Sequence, residues 1–382
     1  MDEHQLKELL RKYQAGEATD EEIAFIESWY IQYNQDQETP FSLDERLEDS
    51  DAVWEKLHAQ KPGFRISYLW PLIAVGACLL VFFYFVKPEA LIVPQKTQEL
   101  VNNRAVEIVP GTSKAVLTLA NGRQVFLSGA ENQKIGNQGI ATLIEKGSGQ
   151  LVYTIEKATA GKSPMSSNLV YNTISTPRGG QYWVVLSDGT RVFLNAGSSL
   201  RYPVNFSGKD RTVKLMGEGY FEVVHNDAAP FRIITGNRII EDIGTKFNVN
   251  AYDDEPVMKT TLLEGAVQVS SFKQHVILKP GQQAQVSNTR RKGEIKVVNH
   301  ANVDEAVAWK NGLFEFNRTN IKTVLNNAAR WYDFEIVYAN AIPNLKISGR
   351  VSRKVSFSGM MDLLKFEGLK FRKDGRTITI MN

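Results

Sequence analysis

The hydrophobic rhythm of the chain changes several times, and each change marks a part. In residues 1–60 apolar positions recur every three or four residues. Leu6, Leu9, Leu10 and Tyr13 share one helical face, and Gly16 is placed to end that helix in a left-handed cap. Thr19-x-x-Glu22 is a capping box ahead of Ile23, Ile26 and Tyr30. Ser42-x-x-Glu45 is a second box, leading into Leu43, Leu47, Val53, Trp54 and Leu57. The pattern predicts a small all-α unit over residues 1–65. So short a segment makes a marginal core. Its stripes, with Leu6, Leu9, Tyr13, Ile26, Tyr30 and Trp54, either pack on one another or meet a partner.

From Ile66 to Val86 the alternation stops, and no charged residue interrupts the run. Arg65 and Lys87 bracket it. At 1.5 Å per residue a helix of this length extends about 30 Å, the thickness of a bilayer's hydrocarbon core. Tyr68, Trp70 and Tyr84 fall near its ends, where amphipathic rings favour the headgroup level. Pro71 lies near the start, where a lost backbone hydrogen bond costs least. A signal peptide would sit at the N-terminus. A buried core helix is rarely apolar on every side for so long, and a buried hairpin would want more than Gly76 for its turn. One transmembrane helix is expected over 66–86.

Residues 87–109, with Pro88 and Pro94, read as a linker. From Pro110 the period becomes two. Val116–Leu119 and Val125–Leu127 flank Asn121-Gly122, a hairpin signal, and the pattern returns at Leu186-Ser187-Asp188-Gly189-Thr190-Arg191-Val192-Phe193-Leu194. Further strands are predicted at Arg211–Leu215, Tyr220–Val224, Phe231–Thr235, Phe247–Ala251, Lys259–Leu263, Ala266–Ser270 and Gln283–Val286. Short strands joined by glycine-containing turns point to a β-sandwich or β-roll over 110–300. After His300 strands and helices alternate: a helix at Val303–Trp309, a strand with Phe314 and Phe316, a helical stripe from Ile321 to Tyr332 and a strand at Phe334–Tyr338. A strand at Lys346–Val351, a helix around Met360–Phe366 and a closing hairpin from Phe371 to Ile380 follow. Residues 301–382 thus read as a small α+β domain of two strand–helix–strand units.

Charge adds a polarity. The net charge is +3, but residues 1–65 carry −9 and the remainder +12. An acidic head on a basic body suits a basic partner, or simply a solvated helix surface. The positive-inside rule gives no direction, because Lys56, Lys61 and Arg65 on one side tie with Lys87, Lys96 and Arg104 on the other. The one cysteine, Cys78, falls inside the span, and the five histidines are scattered. No disulfide framework and no metal spacing follow, and no cofactor is expected. Nucleophile-elbow, Walker and zinc-protease motifs are absent from the sequence, so the chain does not read as an enzyme. Asp227, Asp253, Asp254 and Glu255 sit in turn-like contexts that suggest solvated loops, and His225 reads as a strand-end residue.

The order of parts resembles a FecR-type transmembrane anti-sigma factor. The resemblance is densest in Ser175-Thr176-Pro177-Arg178-Gly179-Gly180, Leu186–Thr190, Gly217-Glu218-Gly219-Tyr220-Phe221-Glu222-Val223 and Pro230-Phe231. It continues in Gly244-Thr245-Lys246-Phe247-Asn248-Val249 and Leu263-Glu264-Gly265-Ala266-Val267. These give a motif core over 175–271. Ala308-Trp309-Lys310-Asn311-Gly312 and Arg330-Trp331-Tyr332 are similar to the start of the family's C-terminal domain, itself similar to the STN signalling fold. Residues 131–170 depart from the series, and Pro110–Thr154 reads as extra strands of the same domain.

The resemblance implies a bacterial inner-membrane protein with a cytoplasmic head and residues 87–382 in the periplasm. It implies two protein partners. One is an extracytoplasmic-function sigma factor on the head, with Leu6, Leu9, Tyr13, Ile26, Tyr30 and Trp54 as candidate contacts. The other is the signalling domain of an outer-membrane TonB-dependent transporter on the C-terminal domain, with Phe314, Phe316, Trp331 and Tyr332 as candidates. Membrane lipid surrounds the span, and no direct contact with nucleic acid is implied. Relatives that cleave themselves between Gly and Thr make Gly244-Thr245 a candidate site, ahead of Gly189-Thr190. The alternative is a membrane-tethered periplasmic adaptor or glycan-binding envelope protein, in which Tyr182 or Trp183 would stack on sugars.

Overall fold

The computed structural model describes residues 107–129, 132–138, 141–147, 149–155, 170–206, 211–242, 244–288 and 293–381. The expected helical head, the span at 66–86 and all but the end of the linker lie outside the described residues. Among the described residues no helix is long and apolar enough to cross a membrane.

Strands dominate up to residue 298. They are β1 (Thr112–Ser113), β2 (Ala115–Thr118), β3 (Gln124–Leu127), β4 (Gln133–Gln138), β5 (Ala141–Lys146), β6 (Gln150–Ile155) and β7 (Tyr171–Ser175). Next come β8 (Gly180–Val185), β9 (Arg191–Leu194), β10 (Ser199–Pro203), β11 (Arg211–Glu222), β12 (Phe231–Thr235) and β13 (Arg238–Asp242). The series ends with β14 (Lys246–Ala251), β15 (Val257–Glu264), β16 (Val267–Ser271), β17 (Gln274–Leu278), β18 (Gln283–Ser287) and β19 (Ile295–Val298).

Backbone pairing sorts these strands into two sheets that share β11. The first runs β3–β2–β7–β10–β11–β12–β13–β16–β17. The second runs β4–β5–β6–β8–β9–β11–β14–β15–β18–β19. Most neighbours are antiparallel; β11–β12 and β6–β8 are parallel, as is the short β1–β8 pairing. Alternate side chains meet in one core. Along β12, Phe231 and Ile233 are fully buried while Arg232 and Ile234 are half-buried. Phe221, stacked on Phe247 at 5.3 Å, joins them there.

The sequence pattern splits β11 in two, at Arg211–Leu215 and Tyr220–Val224, because Gly217 and Gly219 interrupt it. The structure makes it one strand that changes sheet. Residues up to Met216 pair with β10, and residues from Gly217 pair with β14. Gly217 takes φ +80°, and a Cβ there would lie 2.5 Å from Ser198 Oγ. Gly217 is the corner that lets one strand serve two sheets. The two Asx-Gly hairpins form as read: Gly122 and Gly189 adopt φ +82° and +86° between β2–β3 and β8–β9.

The C-terminal unit holds α1 (Val303–Val307), β20 (Leu313–Asn320), α2 (Ile321–Tyr332), β21 (Glu335–Tyr338), β22 (Lys346–Ser352), α3 (Phe357–Phe366), β23 (Lys370–Asp374) and β24 (Thr377–Met381). Asn302, Asn320 and Ser356 cap the three helices by accepting backbone N–H groups. Asp333 closes α2 at φ 55°. β20 pairs antiparallel with β22, while β24 lies between β21 and β23. The α2 stripe Ile321, Val324, Leu325 and Ala328 is fully buried with α3's Met360, Met361 and Leu364. Burying each large apolar side chain contributes about 2 kcal/mol before entropy is counted.

Candidate functional site

Three arginines join the C-terminal unit to the β-domain. Arg330, near the end of α2, reaches the loop between β14 and β15. There it binds Asp254 and, at 3.0 Å, Glu255, and its guanidinium lies 3.7 Å from the Tyr252 ring centroid. Glu255 is only 7% exposed and also accepts from Thr323 Oγ1 (2.9 Å) and Asn326 Nδ2 (3.2 Å). Burial alone would lower the pKa of Arg330. The surrounding Tyr252, Asp254 and Glu255 outweigh it and raise the value, so the ion pair persists.

Arg353 follows β22 and is 3% exposed. It donates to Asn195 Oδ1 (2.9 Å), Trp309 O (3.4 Å) and Gln181 Oε1 (3.4 Å). The rings of Trp331 and Phe314 flank it at 4.1 and 5.1 Å. Burial pushes its pKa down to about 10. Its Nε is buried without a hydrogen-bond partner.

Arg178 works from the opposite side. It sits in the turn between β7 and β8 and donates to the carbonyls of Ala329 (3.0 Å) and Phe334. Beside it the Gly179 N–H donates to Arg330 O at 2.7 Å. Gly111 lies flat against Trp331, where a Cβ would come within 2.6 Å of the ring.

Under this junction lies Glu218, wholly inside the protein. Asn195 Nδ2 donates to one carboxylate oxygen at 2.7 Å; Asn248 and Asn250 Nδ2 donate to the other at 3.0 and 3.1 Å. Burial raises its pKa and the three amides oppose that rise. Asn248 Oδ1 in turn accepts the Trp309 indole N–H at 3.1 Å, which pins the start of the C-terminal unit to β14. Between the outer face of the second sheet and α1, β20 and α2 a cavity of about 510 Å³ remains, lined by residues of both parts.

The residues singled out in the sequence take varied places. Phe314, Phe316, Trp331 and Tyr332 are all buried, and their rings build the core of the C-terminal unit. The Trp331 indole donates to Arg353 O and the Tyr332 hydroxyl to Val355 O, each at 2.8 Å. Burial raises the Tyr332 pKa. Tyr182 is buried too and donates to Glu145 Oε1 at 3.0 Å, while Trp183 stacks on Phe193 at 5.2 Å. Lys310 Nζ lies over Phe193 and Tyr220 at 4.9 and 4.5 Å, so these rings already have a cationic partner.

Thr245 is buried and its hydroxyl donates to Asp242; Gly244 takes φ +92° against the His225 ring. Thr190 is buried with its hydroxyl on Asp188 Oδ2 at 2.8 Å. The six candidates of the head, Leu6, Leu9, Tyr13, Ile26, Tyr30 and Trp54, lie outside the described residues. Glu255 corrects the expectation of solvated loop carboxylates, being buried on Arg330, whereas Asp254 pairs with the same arginine from a side chain that is more than half exposed. No local signal in the sequence marks that pairing, because its partner is 75 residues away.

Residues 172–268 match the family described as FecR protein, and residues 313–380 match FecR, C-terminal. Two crystal structures, at 1.65 and 2.50 Å, of a candidate anti-sigma factor from Parabacteroides distasonis are similar at 32% identity and a TM-score of 0.52. The alignments cover 55% and 56% of this chain and 98% and 99% of those chains. No curated protein matches the sequence. With both family regions in order and nearly all of a solved relative covered, the chain belongs to the FecR family.

Proposed function

We propose that this protein is a single-pass inner-membrane anti-sigma factor. Its acidic head, residues 1–65, holds an extracytoplasmic-function sigma factor in the cytoplasm. Its periplasmic part takes a signal from the periplasmic domain of an outer-membrane TonB-dependent transducer. The observation that carries this reading is FecR membership together with 32% identity over nearly all of a solved candidate anti-sigma factor. The uncharged run at 66–86 supports a membrane crossing between head and β-domain. The head's charge of −9 suits the basic, DNA-contacting surface of a sigma factor. We assign the receiving role to the C-terminal unit, read as STN-like. Since Phe314, Phe316, Trp331 and Tyr332 are buried, receptor contact falls to its outer strands or requires these rings to move.

Affinity capture of the full chain tests the assignment. The sigma factor encoded beside it should co-purify, and deleting residues 1–65 should abolish capture. Absence of a complex, with target transcription unchanged on deletion of the gene, refutes it. Orientation is read separately in a Cys78→Ser background. A cysteine placed at Ser28 should resist a membrane-impermeant maleimide in intact spheroplasts, while one placed at Ser358 should react.

A second reading, self-cleavage at Gly244–Thr245, rests on the Thr245–Asp242 hydrogen bond. In it Asp242 takes the hydroxyl proton as Oγ1 attacks the Gly244 carbonyl carbon. The amide nitrogen leaves protonated, and water hydrolyses the resulting ester. A denaturing gel of purified protein decides it: two fragments that merge into one band in Thr245→Ala support cleavage, and an intact wild-type band ends it.

A further inference from the structure

The cavity at the junction has a floor that strand register lays out residue by residue. Glu218 of β11 lies opposite Asn250 of β14, Asn250 opposite Lys259 of β15, and Lys259 opposite Gln285 of β18. These side chains form one row across four strands. Asn248, Thr261 and Gln283 form the adjacent row. Strands stand about 4.8 Å apart, so Asn250 and Gln285 are about 10 Å from each other. A polar outer face is ordinary for a sheet bathed in water. This one is roofed by Trp309, Phe314 and the start of α2.

The hydrogen-bonding capacity of the lining is partly unspent. Gln285 Nε2 donates to Gln283 Oε1, and Gln283 Nε2 donates to Thr261 Oγ1, each at 2.8 Å, a hydrogen-bonded chain that links the two rows. Asn250 Nδ2 is held by Glu218. Among the described residues nothing donates to Asn250 Oδ1 or Gln285 Oε1, and the Lys259 ammonium has no hydrogen-bond or ion-pair partner. Two carboxylates around the cavity are paired, Glu255 with Arg330 and Glu315 with Arg350, and Glu305 accepts one hydrogen bond from Thr319. The open positions of the row therefore comprise the Asn250 amide oxygen, the free end of the Gln285 amide and the Lys259 ammonium.

We propose that this cavity binds a small neutral carbohydrate of disaccharide size. A sugar hydroxyl both donates and accepts, which meets the Asn250 and Gln285 amides and the Lys259 ammonium in one row. The row from Asn250 to Gln285 is about the length of a disaccharide, and the volume falls in the range of small-molecule sites. The β-domain supplies the floor and the C-terminal unit the roof. An occupant binds only the docked arrangement and holds the two parts together.

The full chain, purified in a detergent without a sugar headgroup, is titrated with maltose, cellobiose and N,N′-diacetylchitobiose by calorimetry and thermal unfolding. At least one should bind and raise the midpoint by about 3 °C at ten times its Kd. The Lys259→Met/Gln285→Met variant should unfold like wild type without sugar and bind it at least tenfold more weakly. The idea is overturned if none of the three binds up to about ten times a millimolar Kd, or if the double variant binds unchanged. Preference for citrate over every disaccharide overturns the neutral class. The readout needs no sigma factor, so it fails or succeeds independently of the anti-sigma reading.

Discussion

Replacing Arg330 by Met tests how the C-terminal unit is held. Methionine keeps most of the volume and removes the charge. Glu255 would then be buried with only Thr323 and Asn326 as donors. Breaking a buried ion pair from one side costs about 3–5 kcal/mol, because the abandoned charge stays desolvated. Loss of the guanidinium from the Tyr252 face belongs to the same cost, at up to about 2 kcal/mol. Asp254 is more than half exposed and adds little. The sum is felt at the junction and not in the β-core, so it should favour local opening of α2.

Hydrogen exchange of the full chain reads this directly. A penalty of 3–5 kcal/mol lowers protection of amides in 321–332 by about two to four powers of ten, wherever their exchange runs through that opening. Amides of β12 and β14 should keep their protection. Arg330→Met/Glu255→Gln removes the stranded charge as well and should recover at least half of the loss, as a coupled pair requires. Protection of 321–332 within tenfold of wild type in the single variant would show that the pair does not hold the unit. So would a double variant that is worse than the single.

Gly111→Ala should weaken the same junction by about 1–3 kcal/mol, because its methyl group meets the Trp331 ring; a shift in the Trp331 environment by near-ultraviolet dichroism, with the β-sheet signal intact, checks it. Glu218→Gln should cost about 1–3 kcal/mol in urea unfolding. Its new NH₂ would face an amide donor, and neither Asn195 nor Asn248 can flip, since Arg353 and Trp309 already occupy their oxygens. Alkaline pH should unfold the protein steeply. Burial pushes Tyr153 and Tyr220 up to about 12, so each contributes stability that is complete below pH 10 and falls by about 2.7 kcal/mol as pH rises to the folded value. Arg353, lowered to about 10, acts in the opposite sense and offsets roughly one tyrosine. Tyrosinate absorbance should therefore rise in two steps, the second coinciding with loss of sheet dichroism; one step near pH 10 with the sheets intact contradicts this.

The parts of the fold legible in the sequence are those in which local pattern and tertiary role agree. β12 was readable because Phe231, Ile233 and Thr235 alternate with half-buried positions and both ends are bounded by turns. α2 was readable because Ile321, Val324, Leu325 and Ala328 repeat at helical spacing behind Asn320. The series β4–β6 was less so, since Gly136 and Gly149 dilute the alternation in a stretch that still forms a meander. Strands β13 and β17 escaped because each supplies little to the core: β13 keeps Ile239 exposed, and β17 buries only Leu278.

The candidate site was illegible for a different reason. Its chemistry comes from pairs far apart in the chain, and each member alone looks ordinary. Glu255 follows two aspartates in a turn and reads as solvated, yet Arg330 makes it a buried anchor. Trp331 and Tyr332 are candidate receptor contacts by resemblance, and Arg353, Gly111 and Phe314 enclose them. The consequence is mechanical. These rings, candidates for partner contact, help fasten the C-terminal unit to the β-domain, and the fastening uses charges that are costly to separate. A partner acting at the C-terminal unit therefore has two routes. It can bind the outside and leave the junction closed, or it can compensate the Arg330 and Arg353 contacts and release the β-domain. Only the second exposes Trp331. An increase in acrylamide quenching of Trp331 on adding the partner, in a chain whose other tryptophans are replaced by Phe, would select that route, and unchanged quenching in a saturated complex would select the first.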